Sequence, residues 1–410
     1  MRICMLLAAA AIAAAQNHTV TDAEVMKVHR SALLIDTHND ITSRTVEGFD
    51  IGPRNTSDKP THTDLVRMRE GGLGAEFFAV YVAAGYVDGN HSANRTLQMI
   101  DTVRHDIISK YPKDFMLATT AADIEAAHRQ GKIAALLGIE GGHAIEDSLR
   151  LLRDYYALGV RYMTLTHSNT NNWADSSGDI TRQEVQHHNG LTDFGKEVVR
   201  EMNRLGMMVD ISHVADKTFW DALEVSRAPI FASHSSCRAL ANVPRNMTDE
   251  MIVALAKKGG VVQINFSCGF LTPEAGAAEN ATFAAMRERV ARETEGKTLS
   301  AEERRALTAR IRDELGVKQV RATLADVVAH IDHIKQIAGA GAVGIGSDFD
   351  GIGCTPEGLD NVSKFPNLTR ALLEKRYSAE DIRKIYGGNL LRVMRGVEAA
   401  AASEAVRSAR

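Results

Sequence analysis

Five apolar runs of strand length each end on a histidine or a carboxylate, and this pattern constrains the fold more than any single motif. The runs cover residues 32–37 before His38 and Asp40, 133–139 before Glu140, 207–212 before His213, 229–233 before His234, and 342–347 before Asp348. In a parallel α/β barrel, the carboxyl ends of all strands converge on one face, where the active site lies. Polar residues that are distant in sequence are therefore expected to meet in space.

Strand-like and helical segments alternate along the chain. The strand candidates are residues 32–37, 75–82, 133–140, 161–166, 207–212, 229–233, 260–266 and 342–347. Helical patterns occupy residues 147–158, 193–205 and 324–338. Eight such units predict a closed (β/α)8 TIM-type barrel, and no GxGxxG follows the first strand to favour an open dinucleotide-binding sheet. Residues 115–119 are interpreted as an accessory strand.

One segment departs from this alternation. Residues 271–322 are rich in Ala, Arg and Glu and predict a helical insertion between strands seven and eight. The insertion is either a solvated helical pair or a segment that covers the site or forms a dimer contact. We expect a single barrel domain over residues 16–398 and a tail over 399–410, since barrels commonly fill a chain of this length as one domain.

The first fifteen residues have the layout of an export signal. A short basic start precedes an apolar run that ends in three alanines, which predicts a secretory signal peptide cleaved after Ala15. This run is shorter than the roughly 20 residues of a membrane span, and no later stretch is long and apolar enough. Because the charged tail lacks a lipid-anchor signal, we expect a periplasmic or secreted protein without an anchor.

Charge and cysteine content exclude several classes of function. A net charge of −4 and a pI near 6.4 give no basic surface for nucleic acid, so we expect none as a partner. Removal of Cys4 with the signal would leave Cys237, Cys268 and Cys354, which allow at most one disulfide within the chain. No CxxC occurs, which argues against a cysteine metal site.

The residues at the strand ends predict a two-metal site. His38 and Asp40 are two residues apart and point to the same side of a strand, so both can bind one metal. His213 and His234 follow consecutive strands and would bind a second metal, and neutral imidazoles suit zinc. Glu140 has two oxygens and can therefore bridge the two metals. No strand ends in a lysine that could take this role instead, so the glutamate is the natural bridge.

Asp348 is interpreted as the proton shuttle, with Asp350 as the alternative. Two metals lower the pKa of a shared water toward 7 and polarise a carbonyl. An acid beside the leaving nitrogen then completes amide hydrolysis.

Other histidines are not assigned to the metal site. His330 and His333 lie at i, i+3 on a helix and are interpreted as helix surface. His187 and His188 are interpreted as loop residues, and His143 as a support behind Glu140.

Several segments together closely resemble the membrane (renal) dipeptidase family, within the amidohydrolase-like barrels. They are IDTHND (35–40), GIEGGH (138–143), LTHSN (165–169), WAD (173–175), DISH (210–213), SHSS (233–236), RN (245–246), GSDFDG (346–351), PEGL (356–359) and GNLLRV (388–393). The resemblance covers roughly residues 30–395 and is highly specific as a set.

This resemblance implies an exported dipeptidase with two Zn2+ per chain that cleaves free L,L or L,D dipeptides with a metal-bridging hydroxide, and a homodimer. His167 would hold or polarise the scissile carbonyl. Arg245 would pair with the free carboxylate of the substrate, for which Arg238 is a competing candidate. Asp348 would carry the proton to the leaving amine, and Glu140 would bridge the metals.

The chain departs from the vertebrate members in two respects, because it lacks a lipid-anchor signal and its 271–322 insertion looks longer. The alternative function is that of a related binuclear amidohydrolase acting on N-acyl amino acids or β-lactams. A third hypothesis, from a different class of function, is a metal-free binding protein on the same barrel.

Overall fold

The computed structural model describes residues 20–58, 60–297, 299, 301–315 and 320–408. The predicted signal peptide, residues 1–15, lies outside the described residues. No described helix combines the length and hydropathy needed to cross a bilayer.

The described residues form nine β-strands. They are β1 Leu34–Asn39, β2 Leu73–Tyr81, β3 Phe115–Leu117, β4 Ile133–Glu140, β5 Val160–Thr164, β6 Met208–Asp210, β7 Phe231–Ser235, β8 Val261–Ile264 and β9 Val343–Ile345.

Eight of these strands form a nearly closed parallel barrel in the order β1-β2-β4-β5-β6-β7-β8-β9. The seam between β9 and β1 is bridged just beyond the strand ends, where the Asp348 amide donates to the His38 carbonyl at 3.0 Å and the Asp40 amide to the Phe349 carbonyl at 2.9 Å. β3 pairs only with β4 and lies outside the ring. The predicted (β/α)8 barrel and its accessory strand are therefore confirmed.

Helices surround the ring. They are α1 Asp22–Ser31, α2 Thr42–Thr45, α3 Leu65–Glu70, α4 Ser92–Thr102, α5 Ala121–Arg129, α6 Leu149–Ala157, α7 Asp193–Leu205, α8 Asp216–Val225, α9 Asp249–Lys257, α10 Cys268–Leu271, α11 Pro273–Thr294, α12 Ala301–Leu315, α13 Leu324–Ala338, α14 Phe365–Glu374, α15 Ala379–Arg383 and α16 Asn389–Ser408. Short 3₁₀ turns cover Ala84–Tyr86, Gly142–Ile145, Ala340–Ala342 and Val362–Lys364, and π-helical turns cover Val103–Ser109 and Lys384–Gly388.

Local sequence signals explain where these helices begin and end. At the start of α7, the Thr192 hydroxyl accepts the Gly195 amide, and Gly206 ends the helix with a φ of 85°. Both α7 and α13 have the predicted bounds, because each carries an apolar face of helical period that packs on the barrel.

The predicted insertion between the seventh and eighth barrel strands consists of α10, α11 and α12. Arg289 and Arg310 lie between Glu293 and Glu314 and form an ion-pair network that joins α11 to α12. A disulfide between Cys268 and Cys354 fastens α10 to the loop that follows β9, and the free thiol of Cys237 is buried.

The barrel interior is apolar toward the amino ends of its strands. Tyr162 packs there against Phe77 and Phe231, with ring centroids 5.2 and 5.5 Å away. A second, larger apolar cluster lies between the strands and the outer helices. The candidate site residues lie at the carboxyl ends of the strands, as in other parallel barrels.

The interpretation of His330 as helix surface is wrong. The side chain is fully buried, because the segment after β7 and the end of α10 cover that face of α13. Its Nδ1 accepts the Cys237 amide and its Nε2 donates to the Leu271 carbonyl, both at 3.0 Å. His333 is half-buried and bonds Asp249 at 2.7 Å, whereas His187 and His188 lie in a loop as expected.

Candidate metal centre

The histidines and carboxylates at the strand ends converge on one point of the barrel. Three groups of side chains each have their ligand atoms within 4.8 Å of one another. The groups are His38, Glu140 and His234; Glu140, His167 and His213; and His38, Asp40 and Asp348. The structure therefore brings together all seven of these sequence-predicted residues.

Glu140 lies at the centre of the cluster and is almost fully buried. Its Oε2 is 3.6 Å from His38 Nε2, while its Oε1 is 2.9 Å from His213 Nε2 and 3.3 Å from His234 Nε2. The two oxygens thus face different partners, as a bridging carboxylate requires. Gly141 follows with a φ of 105°, which lets the chain turn away immediately after the carboxylate.

The tautomer of His38 follows from its neighbours. The Tyr162 hydroxyl donates to the Thr37 carbonyl at 3.1 Å and accepts from His38 Nδ1 at 2.8 Å. Because Nδ1 carries the hydrogen, Nε2 of the neutral ring presents a lone pair. That atom is buried, has no hydrogen-bond partner, and lies 3.2 Å from Asp40 Oδ2.

The same argument applies to His234. Ser233 Oγ donates to Asp210 Oδ2 at 2.6 Å and accepts from His234 Nδ1 at 2.7 Å. Asp210 is held in turn by the amides of Ser212 and Ser233. His234 Nε2 therefore also presents a lone pair, 2.9 Å from His213 Nε2.

These donor atoms fit a pair of cations. Two histidine lone pairs and the carboxylates of Asp40 and Glu140 converge in a buried space without a described Lys or Arg ion pair. Burial lowers the pKa of His38, but Tyr162, Glu140 and Asp40 outweigh it and raise that pKa well above its usual value, so a metal bound at Nε2 would displace a proton from the ring. Burial likewise opposes ionisation of Glu140, yet His38 and His167 bring its pKa well below the usual range. Nitrogen and carboxylate donors of this kind suit zinc.

Asp348, and not Asp350, belongs to the cluster. Asn265 donates to Asp348 Oδ2 at 2.8 Å, while burial raises the pKa of Asp348 well above its usual value. Asp350 instead accepts the His62 amide at 2.8 Å. Both aspartates have positive φ, 61° and 66°, as does His213 at 66°, so backbone strain is concentrated at the site.

The two candidate carboxylate-binding arginines differ in their contacts. Arg238 already forms a two-point ion pair with Asp216, at 2.7 and 2.6 Å. Arg245 is held by Ser235 Oγ at 2.7 Å and the His234 carbonyl at 2.6 Å, and its Nε has no hydrogen-bond partner. Burial lowers the pKa of Arg245 to about 10, and it remains a cation beside the cluster.

Two further histidines lie near Glu140. His167 follows β5, and His143 contacts the segment that follows β2. His167 Nε2 is 3.7 Å from Glu140 Oε1, and the ring contacts Tyr81 at a centroid distance of 4.9 Å. His143 Nε2 donates to the Val82 carbonyl at 2.9 Å. His143 therefore lies behind the cluster, on the short turn after Glu140.

The sequence analysis missed the residues that orient the cluster. Asn265 follows β8 at its carboxyl end, so the strand-end rule that identified the histidines could have identified it. Tyr162 lies inside β5 and Asp210 ends β6, and both belong to runs that read as ordinary buried strands.

Comparisons with known proteins show the family of the chain. Residues 22–408 match the membrane dipeptidase family, peptidase family M19. An uncharacterized dipeptidase of Schizosaccharomyces pombe is 36% identical over 391 residues, which cover 91% of this chain and 82% of the relative.

Among solved structures, the probable dipeptidase PvdM from Pseudomonas aeruginosa aligns with a TM-score of 0.77 and 26% identity, over 93% of this chain and 99% of that chain. A metallopeptidase from Rhodobacter sphaeroides, solved with a phosphinate mimic of the dipeptide L-Ala-D-Ala, aligns with a TM-score of 0.70 and 24% identity, over 89% and 99% of the two chains. The latter likeness concerns the fold alone.

Proposed function

The chain belongs to the membrane dipeptidase family, peptidase family M19, and on this premise we propose that it hydrolyses the amide bond of free dipeptides with two bound zinc ions. The observation that carries the proposal is Glu140, whose two oxygens face different histidines. His38 and Asp40 would hold one zinc on the Oε2 side. His213 and His234 would hold the other on the Oε1 side.

The zinc ions would supply Lewis acidity, which polarises the scissile carbonyl and lowers the pKa of the attacking water. The protein supplies the orientation. Tyr162 and Ser233 keep the hydrogens of His38 and His234 on Nδ1, so that both Nε2 lone pairs face the site. His167, beside Glu140, would donate a hydrogen bond to the carbonyl oxygen of the substrate.

Substrate binding and proton transfer would depend on two further residues. Arg245 would bind the free carboxylate, because its Nε has no other partner and its guanidinium is held rigidly. Asp348 would accept the proton of the attacking water and return it to the amine nitrogen as the C–N bond breaks. Asn265 restrains Oδ2 of that carboxyl, which leaves Oδ1 for the transfer. Both L,L and L,D dipeptides are proposed substrates.

We also propose that the enzyme is exported to the periplasm or the medium and forms a homodimer. The Cys268–Cys354 disulfide supports export, since such bonds persist in oxidising compartments. An intact mass starting at Gln16 in the exported fraction would test cleavage after Ala15. Sedimentation would test the dimer.

The decisive experiment combines zinc content with turnover of an L,L and L,D dipeptide panel, on the wild type and on Asp348→Asn. We expect about two zinc ions per chain in both proteins. The variant should lose roughly 100-fold or more in kcat, because general acid–base catalysis contributes on this scale.

Asp350→Asn is the matched control, since Asp350 lies in the same loop but outside the cluster. It should retain most of the activity. Two zinc ions without dipeptide turnover would shift the function to an amidohydrolase acting on N-acyl amino acids or β-lactams. A protein that binds no metal would exclude the catalytic proposal altogether.

A further inference from the structure

The base of the insertion contacts the arginine that is proposed to bind the substrate carboxylate. Helix α10, Cys268–Leu271, follows β8 at the carboxyl end of the barrel and leads into α11. The guanidinium carbon of Arg245 lies over the ring of Phe270, 5.4 Å from the ring centroid. The insertion therefore reaches the site through its first turn, whereas the ion pairs between α11 and α12 are partly exposed to solvent.

The Arg245 guanidinium is restrained both at its terminal nitrogens and by an aromatic ring. The two terminal nitrogens donate to Ser235 Oγ and to the His234 carbonyl, at 2.7 and 2.6 Å. These bonds fix two corners of the planar group, but the group can still tilt about the line that joins them. Phe270 opposes that tilt, because a cation above an aromatic ring is attracted by the ring and loses this attraction when it moves away.

The residue after Arg245 holds the backbone of Phe270. The Phe270 carbonyl accepts a hydrogen bond from the side-chain amide of Asn246 at 2.9 Å, and Asn246 directly follows Arg245. The same amide nitrogen donates to the Ala241 carbonyl at 2.8 Å. Arg245 and Phe270 are thus joined twice, once by the contact between their side chains and once through Asn246.

Two further contacts fasten α10 to other parts of the chain. His330 Nε2 donates to the Leu271 carbonyl at 3.0 Å, and Cys268 is bonded to Cys354 in the loop after β9. Three of the four residues of α10 are therefore anchored outside the helix. A single helical turn has little stability of its own, so these anchors determine where the ring of Phe270 lies.

A guanidinium with a fixed orientation recognises a carboxylate better than one that can tilt. The two parallel N–H···O bonds of an arginine–carboxylate pair form only when the fork of donors faces the carboxylate. Any freedom that the arginine loses on binding lowers the affinity. A carboxamide has one acceptor oxygen and an NH₂ donor, so it gains less from the same orientation.

We propose that Phe270 is a positioning residue that acts through Arg245 and strengthens recognition of the free carboxylate of the substrate. This inference rests on the proposed function and deepens it, because it gives the first helix of the insertion a part in substrate specificity. Phe270 restrains the guanidinium and takes no part in the cleavage step.

The test compares Ala-Ala with Ala-Ala-amide, which lacks the carboxylate. In Phe270→Leu, kcat/KM for Ala-Ala should fall about three- to tenfold, mainly through a higher KM, as the loss of one cation–π contact predicts. For the amide, kcat/KM should stay within about twofold of the wild-type value, because the contact acts on the carboxylate. A purely structural disturbance would slow both substrates alike and leave their ratio unchanged.

Three further variants serve as controls. Phe270→Tyr retains the aromatic ring and should keep the wild-type ratio, whereas Phe270→Met fills a similar volume without a ring and should repeat the loss. Phe283→Leu is the matched control, because Phe283 lies on α11 of the same insertion and is exposed. It should leave kcat/KM of both substrates unchanged.

The same comparison can be made from dissociation constants, by calorimetry on zinc-loaded Asp348→Asn with and without Phe270→Leu, so it does not depend on turnover. Cleavage of Ala-Ala by the wild type reports on the proposed function separately. A wild type that treats the two ligands equally, a ratio that Phe270→Leu leaves unchanged, or an equal loss in Phe270→Tyr would overturn the role of Phe270.

Discussion

At the scale of single residues, the site depends on which nitrogen of each histidine carries its hydrogen. Tyr162 and Ser233 accept from Nδ1 of His38 and His234, and each is itself fixed by a bond it donates, to the Thr37 carbonyl and to Asp210. Such contacts behind a ligand orient the ring and raise its basicity. We therefore expect the residues behind the cluster to contribute to metal affinity.

Tyr162→Phe tests this dependence. The substitution removes the acceptor for His38 Nδ1, so the ring can rotate or change tautomer, and zinc affinity should fall by about 10- to 100-fold. Competition with a chelator of known affinity measures the change. Tyr386→Phe is the control, because that buried hydroxyl bonds Thr369 away from the site. Equal zinc affinities in the two variants would contradict the role given to Tyr162.

The sequence predicted the candidate metal ligands better than the residues that orient them. His38, Glu140 and His234 each follow an apolar run, and a barrel brings such positions together whatever their separation in the chain. Tyr162 lies inside β5 and Asp210 ends β6, and the role of each is recognisable only once its partner on another strand is known. Their contacts depend on register between neighbouring strands, and local sequence does not encode that register.

At the scale of elements, the disulfide joins the insertion to the loop that carries Asp348. Cys268 and Cys354 are 86 residues apart, and the closed segment contains α11, α12 and α13. The double substitution Cys268→Ser and Cys354→Ser should lower the free energy of unfolding by roughly 2–4 kcal/mol, because the unfolded chain gains conformational entropy when this long loop is no longer closed. Urea denaturation measures this, with the reduced wild type as control. An unchanged midpoint in the double variant would show that the bond does not stabilise the fold.

Strand and helix positions were predictable because hydrophobic residues recur along the sequence with the period of each element. Helices α7 and α13 accordingly have the predicted bounds. The environment of His330 was not predictable. Its neighbours Val327 and Ile331 indicated the apolar face of the helix, and a histidine beside them is expected at the solvent-exposed edge of that face. Its burial comes from Cys237 and Leu271, which are distant in sequence.

His330 makes the stability of the fold sensitive to acid. Burial lowers its pKa from 6.5 to about 4, so between these values the unfolded chain binds more protons than the folded one. Stability that is present above pH 6.5 is therefore lost as the pH falls toward 4, by an amount on the order of 3 kcal/mol. His330→Gln can keep both hydrogen bonds without titrating. Its unfolding free energy should depend less steeply on pH in this window, and identical slopes for both proteins would refute the assignment.

At the scale of the whole molecule, the candidate centre connects four strands around the ring. His38 lies in β1 and Asp40 follows that strand, Glu140 ends β4, His213 follows β6, and His234 lies in β7. The Nε2 atoms of His38 and His234 and the carboxylates of Asp40 and Glu140 meet in a buried space. Metal binding would therefore cross-link the barrel.

Zinc removal should accordingly destabilise the fold as well as abolish activity. A ligand at 100 times its dissociation constant stabilises a folded protein by about 2.7 kcal/mol per site, so the Tm of the chelated enzyme should rise by several degrees on zinc addition. The rise should end at two equivalents, and at one equivalent in His213→Ala, which retains the pair formed by His38 and Asp40. Magnesium is the control ion, because it prefers oxygen ligands. A titration that ends at one equivalent in the wild type would replace the proposed binuclear centre with a single-metal site, and His213→Ala would then distinguish which side of Glu140 is used.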